Sequence, residues 1–324
     1  MRPVRFLIVG MALLATGGCR SSGPEQQAPP CLTLATGSSD DVSYLFGAAL
    51  ARLFNERAAG RCLAGQLTDG SSFNVMALDD ASVDFALARA DTVYSAYVDG
   101  TPLRPRPHRS LRGMAIVYGS VLHFFVRSDS SIRDWKALRD QVVGLSIFSA
   151  TDLAPIVGYT GLVTAAGDLG PLSFKGVRMR LAELTQALAS NEIAAGAVLT
   201  AHPVPTLVEF AEDVNVRLLE IEPDAAARIR SRYPFFKPVS IPAGVYPGQH
   251  TPVRTIAVEN LLVTRAELED EVVYLATKTL LENLEALSRD HGAALQVNAE
   301  QASATPVPLH PGAARYYRER ELLR

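Results

Sequence analysis

The 324-residue chain has little excess of charge of either sign: 31 Lys and Arg against 34 Asp and Glu give a net charge of −3. No basic footprint is present for a nucleic acid partner. Catalytic signatures are missing too. There is no Gly-x-Ser-x-Gly elbow and no phosphate loop ending in Gly-Lys-Ser/Thr. The six histidines, at 108, 123, 202, 250, 291 and 310, show no ligand spacing such as His-x-x-x-His. No apolar run is long enough to cross a bilayer as a helix. These absences argue against an enzyme and against a metal or cofactor. Only three cysteines are present, at 19, 31 and 62, so each needs an account.

What is there begins with a leader. Arg2 and Arg5 precede the apolar residues 6–14, and Ala15, Thr16, Gly17 and Gly18 follow. A basic start, a short apolar run and small residues make a secretory signal over 1–18. Cys19, directly after two glycines, resembles the lipidated cysteine of a bacterial lipobox, although Thr16 stands where leucine is usual. An ordinary signal peptide with an incidental cysteine is the other reading. Residues 20–30, "RSSGPEQQAPP", are polar and proline-rich. With Cys19 they form a tether over 19–30. Eleven residues reach at most about 38 Å. With Cys19 lipidated, Cys31 and Cys62 remain in an oxidising compartment. Each opens a strand-like run, and neighbouring strands lie about 5 Å apart, within disulfide reach.

From Cys31 the chain alternates strand and helix. "LTLAT" leads through Gly37, Ser38 and Ser39 to a helix over about 42–55, with Ser38 or Ser39 as the expected N-cap. "CLAGQLTDG" leads through Ser71 and Ser72 to a second helix, and "VDFALARAD" is a third strand. Strand, Gly/Ser turn and helix in repetition argue for parallel α/β sheets. Residues 111–129 are strand-like but too long for one strand, and pass between domains. A second α/β set has strands at 142–148, 196–200 and 216–221, with Leu181, Leu184 and Leu188 marking a helix. Residues 255–265 lead back as a strand pair or one long strand. Thr264 with Glu267 reads as a capping box for a helix with Val273, Ala276, Leu280, Leu284 and Leu287 on one stripe.

In open α/β sheets ligands sit at the carboxyl ends of the strands. Helix N-termini there offer unpaired N–H groups and partial positive charge. Ser38, Ser39, Ser71 and Ser72 therefore form a rim suited to a carboxylate, and Asn74 could add an amide. Plain helix capping explains each serine equally well and is compatible with binding. Arg89, near the end of its strand, could clamp a carboxylate. An internal ion pair with Asp91 or Asp84 is the slightly preferred alternative. Asp40 and Asp41 fit the favourable charge at a helix start.

The stretches "LTLATGSS" with Tyr44, "LTDGSSFNVMAL", "VDFALARADTVY", "LRGMAIVYGSVLHFFVRSDS", "SIPAGVYPGQ", "TIAVENLLVTR" and "LHPGAARYYRE" resemble the TAXI solute-binding receptors of TRAP-type transporters. The likeness spans most of residues 32–319. It implies a two-lobed, type II periplasmic-binding-protein-like α/β fold joined by hinge strands. Lobe I comprises 31–120 and 264–324, and lobe II 121–263. It implies a monomeric, lipid-anchored periplasmic receptor for a small organic acid, handing it to TRAP membrane subunits. First-lobe contacts are Ser38, Ser39, Tyr44, Ser71, Ser72, Asn74 and Arg89; second-lobe contacts are Ser149, Thr151, His202 and Tyr246. The chain departs from the family pattern where "SIFSATD" keeps only part of a Gly-Ser-Gly-Thr turn. The first turn, "GSSDDVSY", adds two aspartates, Arg89 replaces a frequent glutamine, and "TAHPVP" replaces a Gly-x-Pro pattern. These departures keep a second reading open: an interaction or sensor lipoprotein on the same scaffold.

Overall fold

Strand β1 (Leu32–Ala35) is a short apolar run, and β2 (Leu63–Gln66) lies parallel to it with Leu32 opposite Leu63. The computed structural model describes residues 31–39, 41–58, 60–146 and 174–323. The cysteines preceding β1 and β2 face each other at the same end of the sheet and form a disulfide, Cys31–Cys62. Strand β3 (Phe85–Arg89) joins β1 in parallel. Between these strands lie helices α1 (Val42–Arg57) and α2 (Ser71–Asp79), and α3 (Ala90–Val98) follows. Alternation along β3 holds: Phe85 and Leu87 enter one apolar cluster, Ala86 and Ala88 another.

Residues 111–129 correct the expectation of a broken run. β4 (Leu111–Arg127) is one continuous strand of 17 residues. Its partner β10 (Val253–Arg265) runs antiparallel beside it, with bulges between Glu259 and Leu261 and between Leu262 and Val263. The second α/β set adds β5 (Val142–Ser146), β6 (Lys175–Met179) and β7 (Ala195–Thr200). It also adds β8 (Val216–Leu218) and β9 (Lys237–Ile241). One ten-stranded sheet results, in the order β2-β1-β3-β10-β4-β7-β5-β6, with β8 on β4 and β9 on β10. The two long strands carry the first lobe's strands at one end and the second lobe's at the other.

The second lobe's helices are α4 (Leu181–Ala189), α5 (Pro205–Val214) and α6 (Pro223–Arg232). The C-terminal part adds α7 (Asp270–Leu281), α8 (Leu284–Asp290) and α9 (Pro311–Glu319). One cluster, with Phe46, Leu50, Phe54, Val273 and Tyr317, covers one face of the first lobe. A second, with Leu184, Leu207 and Tyr246, covers the second lobe. The third runs along both lobes, from Val75 and Val93 through Phe124 to Ile229.

Three local expectations are corrected. The N-cap of α1 is Asp41, not Ser38 or Ser39, because its carboxylate accepts the Ser43 N–H at 3.0 Å. Thr264 does not open a helix: it lies in β10, and its hydroxyl donates to Asp84 O. The helix starts later, after Glu269. The apolar stripe of that helix is split between α7 and α8, where Asn283 Nδ2 donates back to Thr279 O. Among the described residues no helix is long and apolar enough to cross a membrane, and no group of His, Cys, Asp and Glu could hold a metal ion.

Candidate functional site

The carboxyl ends of β1, β2 and β3 are tied together by side chains from the turns that follow them. Thr36 Oγ1 donates to Gln66 O at 2.9 Å, Thr68 N to Gly37 O at 3.1 Å, and Thr68 Oγ1 to Thr36 O at 3.2 Å. Asn74, fully buried, braces the group by donating from Nδ2 to both Thr36 O and Leu87 O at 2.7 Å. Its amide hydrogens are thus consumed, and its buried Oδ1 makes no hydrogen bond. The residue therefore presents an acceptor rather than the donor expected from the sequence.

The two helix starts beside this group differ. At α1, Asp41 is the cap, and its Oδ1 also accepts from Thr200 Oγ1 of β7 at 3.2 Å. Ser38 O accepts from Asp41 N, Ser38 and Tyr44 are half-buried, and Ser39 is exposed. At α2 the N-cap is Gly70, with no side-chain cap bond. Its φ of 93° lies in the left-handed region that favours glycine. The first N–H groups of a helix have no partner within it, so α2 presents its partial positive end at Ser71 and Ser72, both half-buried.

Arg89 lies beside this end. It is only 5% exposed, and its backbone N–H donates to Ser71 Oγ at 3.1 Å. Its guanidinium grips Asp91 with two bonds of 3.0 and 2.9 Å, so the expected internal ion pair forms. Opposite Arg89 in the ladder is Asn260, which donates to Ser120 Oγ at 2.7 Å and to Tyr118 O. Ser71, Arg89, Asn260 and Ser120 thereby link the first lobe's rim to the crossing of β4 and β10. Sequence reasoning missed Thr200, Asn260 and Ser120. A small polar residue inside a strand carries no local signal.

In the second lobe, His202 is half-buried and precedes a cis peptide bond to Pro203. Burial lowers its imidazole pKa. The loop at 240–249 has an inward purpose. Gly244 and Gly248 have φ of 79° and 76°. The Gln249 amide donates to Pro242 O at 2.9 Å and Thr251 O at 3.0 Å. Tyr246 is 2% exposed and packs edge-on against His123. His123 Nδ1 lies 2.9 Å from Val121 O, an acceptor, so Nδ1 carries the proton. Nε2 then accepts from Tyr246 Oη at 2.8 Å, and Oη accepts from Val204 N at 3.2 Å. The tyrosine fastens loop 240–249 to β4 and to the start of α5, with its hydroxyl engaged inside the lobe rather than turned to a solute. Replacing it with phenylalanine strands His123 Nε2 and Val204 N. Tyr246→Phe should cost about 1–3 kcal/mol in urea unfolding; an unchanged midpoint would remove this role. Ser149 and Thr151 lie outside the described residues, as does Cys19.

The His-Pro-Gly-Ala motif is also structural. His310 Nδ1 accepts from Gly312 N at 3.1 Å as the cap of α9, with Pro311 in its first turn. A side chain at Gly312 would strike Asp270 O of α7.

The profile of the NMT1-like family matches residues 34–320. A solved structure from Bordetella bronchiseptica RB50 is 13% identical over 90% of this chain and 98% of that one, with a TM-score of 0.53. A Xanthomonas citri protein bound to ATP is 14% identical, covering 91% and 99%, with a TM-score of 0.49. The periplasmic aliphatic sulphonate binding protein SsuA of Escherichia coli is 13% identical, covering 91% and 89%, with a TM-score of 0.44. The fold is shared with the Bordetella bronchiseptica structure along most of both chains.

Proposed function

The chain belongs to the NMT1-like family, and we propose that it is a solute receptor outside the cytoplasm that captures a small organic acid between its lobes. The lobes part near Ser120 and its ladder partner Val258, where β4 and β10 pass from one strand set to the other. Val263, opposite Gly113 and Ala86, lies within the first lobe's end. The acid is a dicarboxylate or an acidic amino acid, handed on to a membrane transporter. The TAXI-like motifs favour TRAP membrane subunits as that transporter. The lipid on Cys19 and the tether over 19–30 keep the receptor at the membrane.

One observation carries the reading. Of the two helix starts beside the strand ends, α1 is already filled by the carboxylate of Asp41, whereas α2 has no side-chain cap and lies against Arg89 through Ser71. A solute carboxylate at Ser71 and Ser72 would meet N–H donors and the helix dipole, the Arg89 guanidinium being engaged by Asp91. His202, with Ser149 and Thr151, supplies the second lobe's share.

Saturating glutamate or 2-oxoglutarate should raise the melting temperature by about 5 °C, the scale expected at a hundredfold excess over Kd. Ser72→Asp places a carboxylate where the solute's would go. It should preserve the free protein's melting temperature and abolish the rise. No rise across a panel of organic acids would sink the proposal.

The contact between Asp41 and Thr200 favours a second reading, in which the scaffold joins its lobes with its own side chains and serves as an interaction lipoprotein. Native mass spectrometry separates the two: a retained small acid supports the receptor, and a copurified protein without one supports the alternative.

A further inference from the structure

A cavity of about 320 Å³ lies over the middle of β4 and β10, and none of the residues assigned to the acid site except His202 lines it. Its floor is apolar, made by Val117, Val121 and Val258. The walls come from both sides of the crossing. Gln296, Asn298 and Gln301 stand on the C-terminal segment, and Lys237, Ser240 and His202 on the second lobe. Gln296 Oε1 accepts from Gly119 N at 3.0 Å, and Ala302 O accepts from Ile116 N at 2.8 Å, so the amide-bearing segment is fastened to β4.

Two features define what fits. First, the lining carries no uncompensated charge: its one cation, Lys237, pairs with its one carboxylate, Glu259, at 2.7 Å. A bare anion gains nothing there. Second, the walls carry the carboxamides of Gln296, Asn298 and Gln301 and the hydroxyl of Ser240, each able to meet a hydroxyl group.

We propose that this cavity binds a neutral polyhydroxylated molecule of monosaccharide size, separate from the acid held at α2. Because one wall belongs to each side of the crossing, an occupant bridges the lobes and favours one relative orientation over others.

Thermal-shift titration of the full mature protein with glucose, ribose and myo-inositol tests this. At least one should raise the melting temperature saturably, by about 3–5 °C near saturation. Gln301 is exposed, so Gln301→Phe fills the cavity without disturbing the core. It should abolish the polyol shift and leave any glutamate or 2-oxoglutarate shift intact. Ser72→Asp should do the reverse, so failure of the acid site and failure of this one read differently. Ser240→Leu serves as a second blocking variant should Gln301→Phe fold poorly. No saturable shift with any of the three polyols, or a shift that survives both blocking variants, overturns the proposal.

Discussion

Below about pH 6.5 the folded protein should lose stability steadily, and most of the loss should trace to His123. Its imidazole is fully buried in β4, and burial first, then the nearby His202, pushes its pKa down to about 3 from an ordinary 6.5. The sign follows from linkage. Above pH 6.5 the ring is neutral in both states and contributes nothing to the pH dependence. As pH falls from 6.5 towards 3, the unfolded chain takes up the proton and the folded one does not, so stability drains away through that window. At about 1.4 kcal/mol per pH unit the full span amounts to about 5 kcal/mol. His202, His291 and His310 are lowered by burial too and push in the same direction. The proton has nowhere to go in the native state, since Nδ1 already donates to Val121 O and Nε2 is the acceptor for Tyr246. Urea unfolding at pH 7.5 and pH 4.5 should give a large difference for the native sequence. His123→Gln, which keeps a polar partner for Tyr246, should start lower at pH 7.5 and show a clearly smaller difference. An equal pH dependence in the two proteins would contradict this account.

Removing the disulfide should cost nearly as much. Cys31–Cys62 closes a loop spanning a sequence separation of 31 residues, which contains β1 and α1. Loop-closure entropy alone predicts about 3–4 kcal/mol for a loop of that length. The strands it joins are only four residues each, and β2 ends the sheet order with β1 as its ladder partner. Beyond that ladder β2 is held by Asn55, which donates to Leu63 O and accepts from Leu63 N, and by Thr36, which donates to Gln66 O. The Cys31→Ala, Cys62→Ala double variant should melt roughly 10 °C lower. Hydrogen exchange should show protection falling first in β2 and at the end of α1, with the second lobe unaffected. A reductant should reproduce the shift in the native sequence and do nothing to the variant. A variant that melts with the native protein would show that packing, not the cross-link, holds this end of the sheet.

Much of the first lobe is legible in the residues. The pairing of Cys31 with Cys62 follows from two strand-like runs that each begin with cysteine. The ion pair of Arg89 follows from an aspartate two positions on. Other features depend on contacts made far along the chain. Ser38, Ser39 and Asp41 are all competent helix caps, and what singles out Asp41 is a second bond to Thr200, 159 positions away. Strand β6 is mostly exposed and lacks alternation, so its sequence "KGVRM" carries no periodic signal. Strand β9 includes Pro238, which reads as a breaker yet is tolerated because β9 pairs on one side only. Tyr246 and His123 lie 123 positions apart, and a lone tyrosine in a Pro/Gly loop looks the same whether it faces a solute or a core. The amide-lined cavity has no local signal for a related reason: Gln296, Asn298 and Gln301 are exposed polar residues on one segment, and only the fold brings Lys237 and Ser240 across from them.

The continuous ladder of β4 and β10 governs how the two halves can move. Free-swinging bodies need slack connectors, and an unbroken pair of strands is not slack. Rotation of one half against the other has to be absorbed as torsion along the shared backbone. The bulges at Glu259/Leu261 and Leu262/Val263 are where the ladder yields most easily. Closure on the proposed solute would resemble winding a spring: stiffening those bulges should shorten the travel, and loosening them should lengthen it.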